Sequence, residues 1–403
     1  MPLPVGLADV QAARELLRGI ILDTPVQGSR PLSERVGGPV WFKCENLQRA
    51  GSFKIRGAYI RISRLDEDEA ARGVVAASAG NHAQGVALAA SLRGIRSTVF
   101  MPEGAPIPKV EATKAYGAQV RFHGHAVDQA LVAAQEFSDR TGAVFVHPFD
   151  HADIVAGAGT VGLEVLEQCP GVKTVVVCTG GGGLLAGIAV AVKGIRPDVR
   201  VVGVQAEGAA AYPASLAAGR PVALDAMATM ADGIAVGCPG PVPFAIIDEL
   251  VDDLLTVSEE SLSRALLLCL ERAKLVVEPA GAAAAAAVLD DPQAFEPPVA
   301  VVLSGGNIDP LLLMRVLRHG LAVAGRFLSF RARISDRPGA LVGLLAEVAA
   351  ADASVLEVEH VRTDPRLRVD EVEVQLQLET RGAEHCEEVQ ARLRAAGYTL
   401  VFG

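Results

Sequence analysis

Residues 174–190 read TVVVCTGGGGLLAGIAV: a β-branched run, four glycines and an Ala/Leu-rich stretch in immediate succession. The first part suits a strand and the last a helix, so the segment predicts strand, tight turn, helix. Glycines at such a turn leave the N–H groups of a helix N-terminus uncovered, a ready seat for a phosphate. The same beat recurs on either side. Strands are predicted at 39–45, 73–78, 96–101, 118–123, 200–205 and 299–304, and helices at 81–92, 127–141, 184–195 and 259–273. Strand and helix in alternation predict an α/β fold with parallel sheet. Three strands run directly into small or polar residues: VVAASAGN (74–81), VVVCTGGGG (175–183) and AVVLSGGN (300–307). Ligands of open parallel sheets gather at the carboxyl ends of strands, so these three ends predict one shared cleft.

Composition narrows the classes. The 403-residue chain carries 37 Lys+Arg against 47 Asp+Glu, a net charge of −10, and has no Lys/Arg-rich run. That balance argues against nucleic acid or an anionic membrane as partner. Half the residues are apolar, which excludes wholesale disorder. The longest apolar stretches, 182–192 and 280–289, are too short to span a bilayer. The N-terminus lacks a basic start followed by an apolar block, so a cytoplasmic protein is expected. Six dispersed cysteines (Cys44, Cys169, Cys178, Cys238, Cys269, Cys386), with no CxxC, are expected to be buried, reduced thiols, and no metal site is expected. Seven lysines are the only candidates for any amine chemistry: Lys43, Lys54, Lys109, Lys114, Lys173, Lys193 and Lys274.

Beyond residue 325 the character changes, with 10 Arg, no Lys and 13 Asp+Glu in 78 residues. DEVEVQLQLET (370–380) alternates strictly, with Val372, Val374, Leu376 and Leu378 on one face. That pattern is a strand with one wet face. Leu341, Leu344, Leu345 and Val348 recur at helical spacing, as do Cys386, Val389 and Leu393. The predicted order is strand 327–334, helix 340–351, strand 354–362, strand 370–380, helix 383–396, strand 398–402. Two domains are therefore expected, 1–320 and a βαββαβ unit at 326–403.

Three segments carry chemistry. In the glycine run, Gly181, Gly183 and Ala186 also fit G-x-G-x-x-G/A, with Glu207 about two dozen residues on, so a dinucleotide site is an alternative to a simpler phosphate-bearing cofactor. In AGSFKIRGAY (50–59), Lys54 is enclosed by Gly51, Phe53, Ile55 and Gly57. A partly desolvated amine there has a lowered pKa and can form a Schiff base; a helix-start lysine reaching to solvent looks similar. ASAGNHAQG (77–85) is a donor-rich loop opening a helix, suited to a carboxylate or to capping by Ser78 or Asn81.

Together GSFKIRGA, SAGNHAQG, TGGGGL and LSGGN, in this order, resemble the fold-type II pyridoxal-phosphate enzymes, and within them the threonine/serine dehydratases. The resemblance covers residues 10–320 and implies two open parallel-sheet α/β subdomains of the tryptophan synthase β kind. It implies that Lys54 holds the cofactor as a Schiff base and takes the Cα proton. Gly180, Gly181, Gly182, Gly183 and Leu184 would cradle the phosphate. Asn81 would bond the ring 3-hydroxyl, Ser304 the ring nitrogen, and Phe53 would pack on the ring. Ser78, Asn81 and His82 would receive the substrate carboxylate. A serine, unlike an aspartate, cannot keep the ring nitrogen protonated, which favours prompt loss of a β-substituent over racemisation or transamination. The implied reaction is dehydration and deamination of L-threonine to 2-oxobutanoate and ammonia, with L-serine as second substrate and a place in isoleucine biosynthesis. A serine dehydratase or serine racemase is the alternative. Serine racemases of this fold carry a second serine where this chain has Ala79, which disfavours that reading. Some relatives bind a cation through Glu207 and an acid six residues on, where this chain has Pro213. Residues 326–403, with DRPGAL (336–341) at the first strand–helix turn, resemble the ACT regulatory domain. That resemblance implies an amino-acid effector, isoleucine or valine, near Arg337, Gly339 and Leu341, and a homodimer or homotetramer.

Overall fold

The β-branched runs become strands that glycine or serine terminates, and they assemble into two parallel sheets. The computed structural model describes residues 3–362 and 367–402. Its contacts divide the chain into two compact units, Met1–Leu313 and Met314–Gly403. The division falls inside the helix Pro310–Val323, ahead of the boundary expected between 320 and 326.

In the first unit a six-stranded sheet runs in the order Val26–Gly28, Val40–Cys44, Val299–Leu303, Thr174–Cys178, Arg200–Ala206, Asp253–Val257. Only the first pair is antiparallel. The central strands Val299–Leu303 and Thr174–Cys178 are buried at every residue, as strands covered by helices on both faces must be. A four-stranded parallel sheet runs Gln119–Phe122, Ser97–Met101, Val74–Ala77, Val144–Phe145. Strands Val26–Gly28, Val144–Phe145 and Asp253–Val257 were not anticipated. Each lies at a sheet edge, and the first two span only three and two residues, too few for any periodicity to show. The helix predicted over 259–273 is α-helical at Glu259–Leu268, capped by the Ser258 hydroxyl accepting from the Ser261 N–H at 3.1 Å. It then widens into a π turn at Cys269–Ala273 and leaves through Lys274 at φ +60°.

The helix Lys54–Ser63 is anchored by charge buried in the core. Arg56, fully buried, forks onto Glu45, with Nε and Nη2 each 2.8 Å from a carboxylate oxygen. It also donates to Glu164 at 2.5 and 2.9 Å and to Thr160 at 3.0 Å. Lys43 completes the cluster, donating to Glu164 at 2.6 Å and to the Thr24 carbonyl at 2.8 Å. Two cations meet two carboxylates, so the cluster is neutral and its hydrogen bonds are supplied internally, the condition under which such burial is tolerated. It ties strand Val40–Cys44, helix Lys54–Ser63 and helix Ala152–Gln168 together.

In the second unit Ser354–Val361, Glu371–Glu379, Phe327–Ser335 and Leu400–Val401 form an antiparallel sheet in that order. Val372, Val374, Leu376 and Leu378 face Phe330 and Ile334 and, with Leu344, Val348, Val389 and Leu393 from two helices, make its core. The alternation in 370–380 marked this buried face correctly. Among the described residues no helix is long and apolar enough to cross a membrane.

Candidate active site

Strand ends from both sheets of the first unit open onto one cavity of about 910 Å³. Its walls include Phe53, Lys54, Asn81, His82, Gly180 to Gly183, Leu184 and Ser304, so the three small-residue ends converge as predicted. The loop before Lys54 is fastened to the loop after Val299–Leu303. The Phe53 N–H donates to the Ser304 carbonyl at 3.1 Å, and the Gly306 N–H donates to the Gly51 carbonyl at 2.9 Å. These two bonds bring GSFK and LSGGN, some 250 residues apart, side by side.

Lys54 opens its helix, and its Nζ donates to the Pro148 carbonyl at 2.9 Å and stands 5.1 Å from the Phe53 ring centre. Burial pulls its pKa down to about 8, against opposing pulls from Cys178 and Glu278. The glycine run leads into helix Gly183–Ile195, wholly buried through Val192. Gly182 has φ +97°, and a side chain on it would collide with the Tyr212 hydroxyl. A side chain on Gly181 would collide with the Phe149 ring. Tyr212 itself donates to the Gly181 carbonyl at 3.2 Å, so the run is bare backbone held from behind.

The Asn81 amide is fixed from two sides. Its Nδ2 donates to Glu278 Oε1, and its Oδ1 accepts from Asn307 Nδ2 at 2.8 Å. Glu278 is buried, and that burial, with Asp232 nearby, pushes its pKa up to about 7. Sequence reading missed this residue. It precedes Pro279 at the head of a helix that is buried along nearly its whole length, and an acid in front of the apolar run 279–289 was the available signal. The lining also includes His147, Pro148 and Phe149, likewise missed, at the end of the two-residue strand Val144–Phe145.

His82 lines the cavity, and its Nε2 lies 2.8 Å from the Val146 carbonyl, an acceptor, so that nitrogen carries the proton. Burial, with Lys54 nearby, drops its pKa to about 3, leaving a neutral ring. Ser304 is 3 % exposed, and its Oγ lies 3.0 Å from Cys178 Sγ. Ser78 is not among the cavity walls: its hydroxyl accepts from the Gly80 N–H at 3.1 Å and closes its own loop. Glu207 is exposed, and the described residues contain no group of three His, Cys, Asp or Glu placed to hold a metal. All six cysteines are unpaired; five are buried, but Cys238 is exposed at the cavity, a correction to the expectation of uniformly buried thiols, since its loop runs along the rim. In the second unit Arg337, Gly339 and Leu341 line a separate cavity of about 250 Å³ with Asp336, His360 and Arg362.

A family model described as pyridoxal-phosphate dependent enzyme matches residues 17–305. Over 396 residues the chain is 46 % identical to the L-threonine ammonia-lyase of Thermotoga maritima, which covers 98 % of this chain and 99 % of that one. Of solved structures, the processed form of threonine deaminase isoform 2 from Solanum lycopersicum aligns with a TM-score of 0.74 at 34 % identity, covering 78 % of this chain and 92 % of that one. Maize serine racemase aligns with a TM-score of 0.74 at 35 % identity, covering 79 % of this chain and 98 % of that one. The dinucleotide alternative for the glycine run is set aside by the family match, which spans that run.

The raised pKa of Glu278 has a signed consequence for the cofactor-free chain. Between the ordinary 4.5 and about 7 the folded chain holds a proton that the unfolded chain releases. The stabilisation is complete below 4.5 and is lost as pH rises through about 7. Glu278→Gln cannot titrate, so its unfolding free energy minus that of the parent chain should rise by about 3 kcal/mol across this window in denaturant titrations. A difference that stays flat from acid to neutral pH contradicts the assignment.

Proposed function

The chain belongs to the pyridoxal-phosphate-dependent enzymes, and from that premise we propose that it is a threonine ammonia-lyase, converting L-threonine to 2-oxobutanoate and ammonia and L-serine to pyruvate. The observation that carries the reading is one cavity in which a lysine of lowered proton affinity faces a bare glycine turn at a helix N-terminus. The residues present fit the cofactor. Phe149 and Tyr212 leave no room for side chains on Gly181 and Gly182, so only backbone meets the phosphate. Lys54 would hold the aldehyde carbon, Asn81 the 3-hydroxyl, Ser304 the ring nitrogen, and Phe53 a ring face. Bound there, pyridoxal phosphate supplies an electron sink for the charge left when a substrate Cα proton departs.

The chain's own groups do the rest. Lys54, with its pKa near 8, reaches its neutral form close to physiological pH and takes the Cα proton. The Asn81 amide, clamped by Glu278 and Asn307, keeps one N–H free for the cavity. Backbone N–H groups at the start of helix Asn81–Leu92 receive the substrate carboxylate beside the neutral His82 ring. Ser78 would help through its loop, whose shape its hydroxyl maintains. Ser304 bears no charge, so it would not hold a proton on the ring nitrogen, a condition that favours loss of the β-hydroxyl as water over racemisation. Ala79 has no proton to deliver from the opposite face, which weighs against the serine racemase reading.

Residues 326–403 we read as an ACT-like regulatory domain. Its antiparallel sheet order and the cavity beside Arg337, Gly339 and Leu341 support an amino-acid effector, isoleucine or valine. We further read the enzyme as a cytoplasmic homodimer or homotetramer.

Lys54→Ala should abolish the cofactor's absorbance at roughly 410 nm and keto-acid formation from L-threonine. Retained colour together with turnover would sink the assignment. Separately, isoleucine or valine should change threonine turnover in the full chain and leave a chain ending at residue 325 unaffected. An equal response in both would remove the C-terminal unit as sensor.

A further inference from the structure

Strands Thr174–Cys178 and Val299–Leu303 lie side by side and parallel, with Val177 opposite Val302. Continued by one residue, that register sets Cys178 opposite Leu303, and Ser304, the residue after it, lies diagonally beside Cys178 at the cavity wall. Cys178 and Ser304 are 4 % and 3 % exposed, and Cys178 Sγ stands 3.0 Å from Ser304 Oγ. A serine hydroxyl has one proton to give and two lone pairs with which to receive. Left alone it rotates among several directions. A neutral ring nitrogen is an acceptor only, so Ser304 serves it solely by donating. Burial keeps the Cys178 thiol protonated, its pKa pushed up to about 11, so the thiol has a proton to give and is no nucleophile. Donation from the thiol occupies one lone pair of Oγ on the strand side and leaves the O–H to point away from it, into the cavity.

We propose that Cys178 is a positioning residue whose thiol donates to Ser304 Oγ and aims the serine proton at the ring nitrogen of bound pyridoxal phosphate. This rests on the reading that sets Ser304 opposite that nitrogen. The neighbouring wall supports the division of labour. Lys54, Asn81 and the glycine run deal with the aldehyde, hydroxyl and phosphate ends of the cofactor, and among the described residues the thiol is the group bonded to the Ser304 hydroxyl.

The test is equilibrium binding of the cofactor, not rate. Each full-length apoprotein is titrated with pyridoxal phosphate and followed at roughly 410 nm. Cys178→Ala should weaken binding about fivefold, near the worth of one oriented hydrogen bond, and Cys178→Ser should stay within about twofold of the parent chain. A wall-filling role predicts the opposite order, since alanine is tolerated at a buried apolar position and an added hydroxyl is not. Ser304→Ala should weaken binding by itself, and adding Cys178→Ala to it should cost nothing more. In the unaltered chain the S–H stretching band of Cys178, taken as an infrared difference against Cys178→Ser, should lie below that of a free thiol and rise in Ser304→Ala. This readout does not depend on how Cys178→Ala folds. If Ser304→Ala leaves binding unchanged, the reading of Ser304 falls and this inference with it. If Ser304→Ala weakens binding while Cys178→Ala does not, or if both Cys178 variants fall together, Ser304 keeps its role and Cys178 loses it.

Discussion

A lysine amine with no cation beside it works as a base near neutral pH when it is kept short of water, and rigid surroundings keep the water away. That constraint organises the first unit. Helix Lys54–Ser63 presents its first residue to the cavity and, two residues on, sends Arg56 into the core. The fork of Arg56 onto Glu45 and Glu164, with Lys43 beside it, leaves the helix no freedom to slide. Loss of one partner would strand a buried charge at a cost of about 3–5 kcal/mol, so the anchor is all-or-none. Two backbone bonds then clip the loop ahead of Lys54 to the loop carrying Ser304.

Burial also accounts for the electrostatic character of the cavity. Lys54 is moved toward its neutral amine, Glu278 toward its protonated acid, and His82 and His147 stay neutral with pKa values near 3 and 4. Cys178 remains a thiol. Each shift has desolvation as its largest cause and runs toward the uncharged form. In their uncharged forms these groups do not compete with anionic ligands, although Asp128, Asp225 and Asp232 also line the cavity. The anions that the proposed reaction brings, a phosphate and a carboxylate, would instead meet backbone N–H groups at the starts of helices Gly183–Ile195 and Asn81–Leu92.

The architecture was legible wherever a pattern was long enough to repeat. Buried strands such as Thr174–Cys178 and the alternating Glu371–Glu379 announced themselves, and helices Asn81–Leu92 and Val127–Thr141 matched to the residue. Short edge strands carried no such signal. At the site, glycine runs and strand ends were readable because their chemistry is local. Glu278 was not, because what makes it part of the cavity is the packing of helix Pro279–Asp290, a tertiary fact that VVEPAG does not spell out. Ser78 shows the converse: a hydroxyl in the right loop spends its lone pair on its own backbone. Cys178 was read only as a buried, reduced thiol, and it is the pairing of two strands distant in sequence that brings it beside Ser304.

The central claim is that folding alone lowers the proton affinity of Lys54. Competitive acetylation of the full cofactor-free chain, with Lys54 quantified by mass spectrometry against the exposed lysines as pH is varied, reads that affinity directly. The account predicts a midpoint for Lys54 at about 8. A midpoint for Lys54 at the ordinary 10.5 would contradict it.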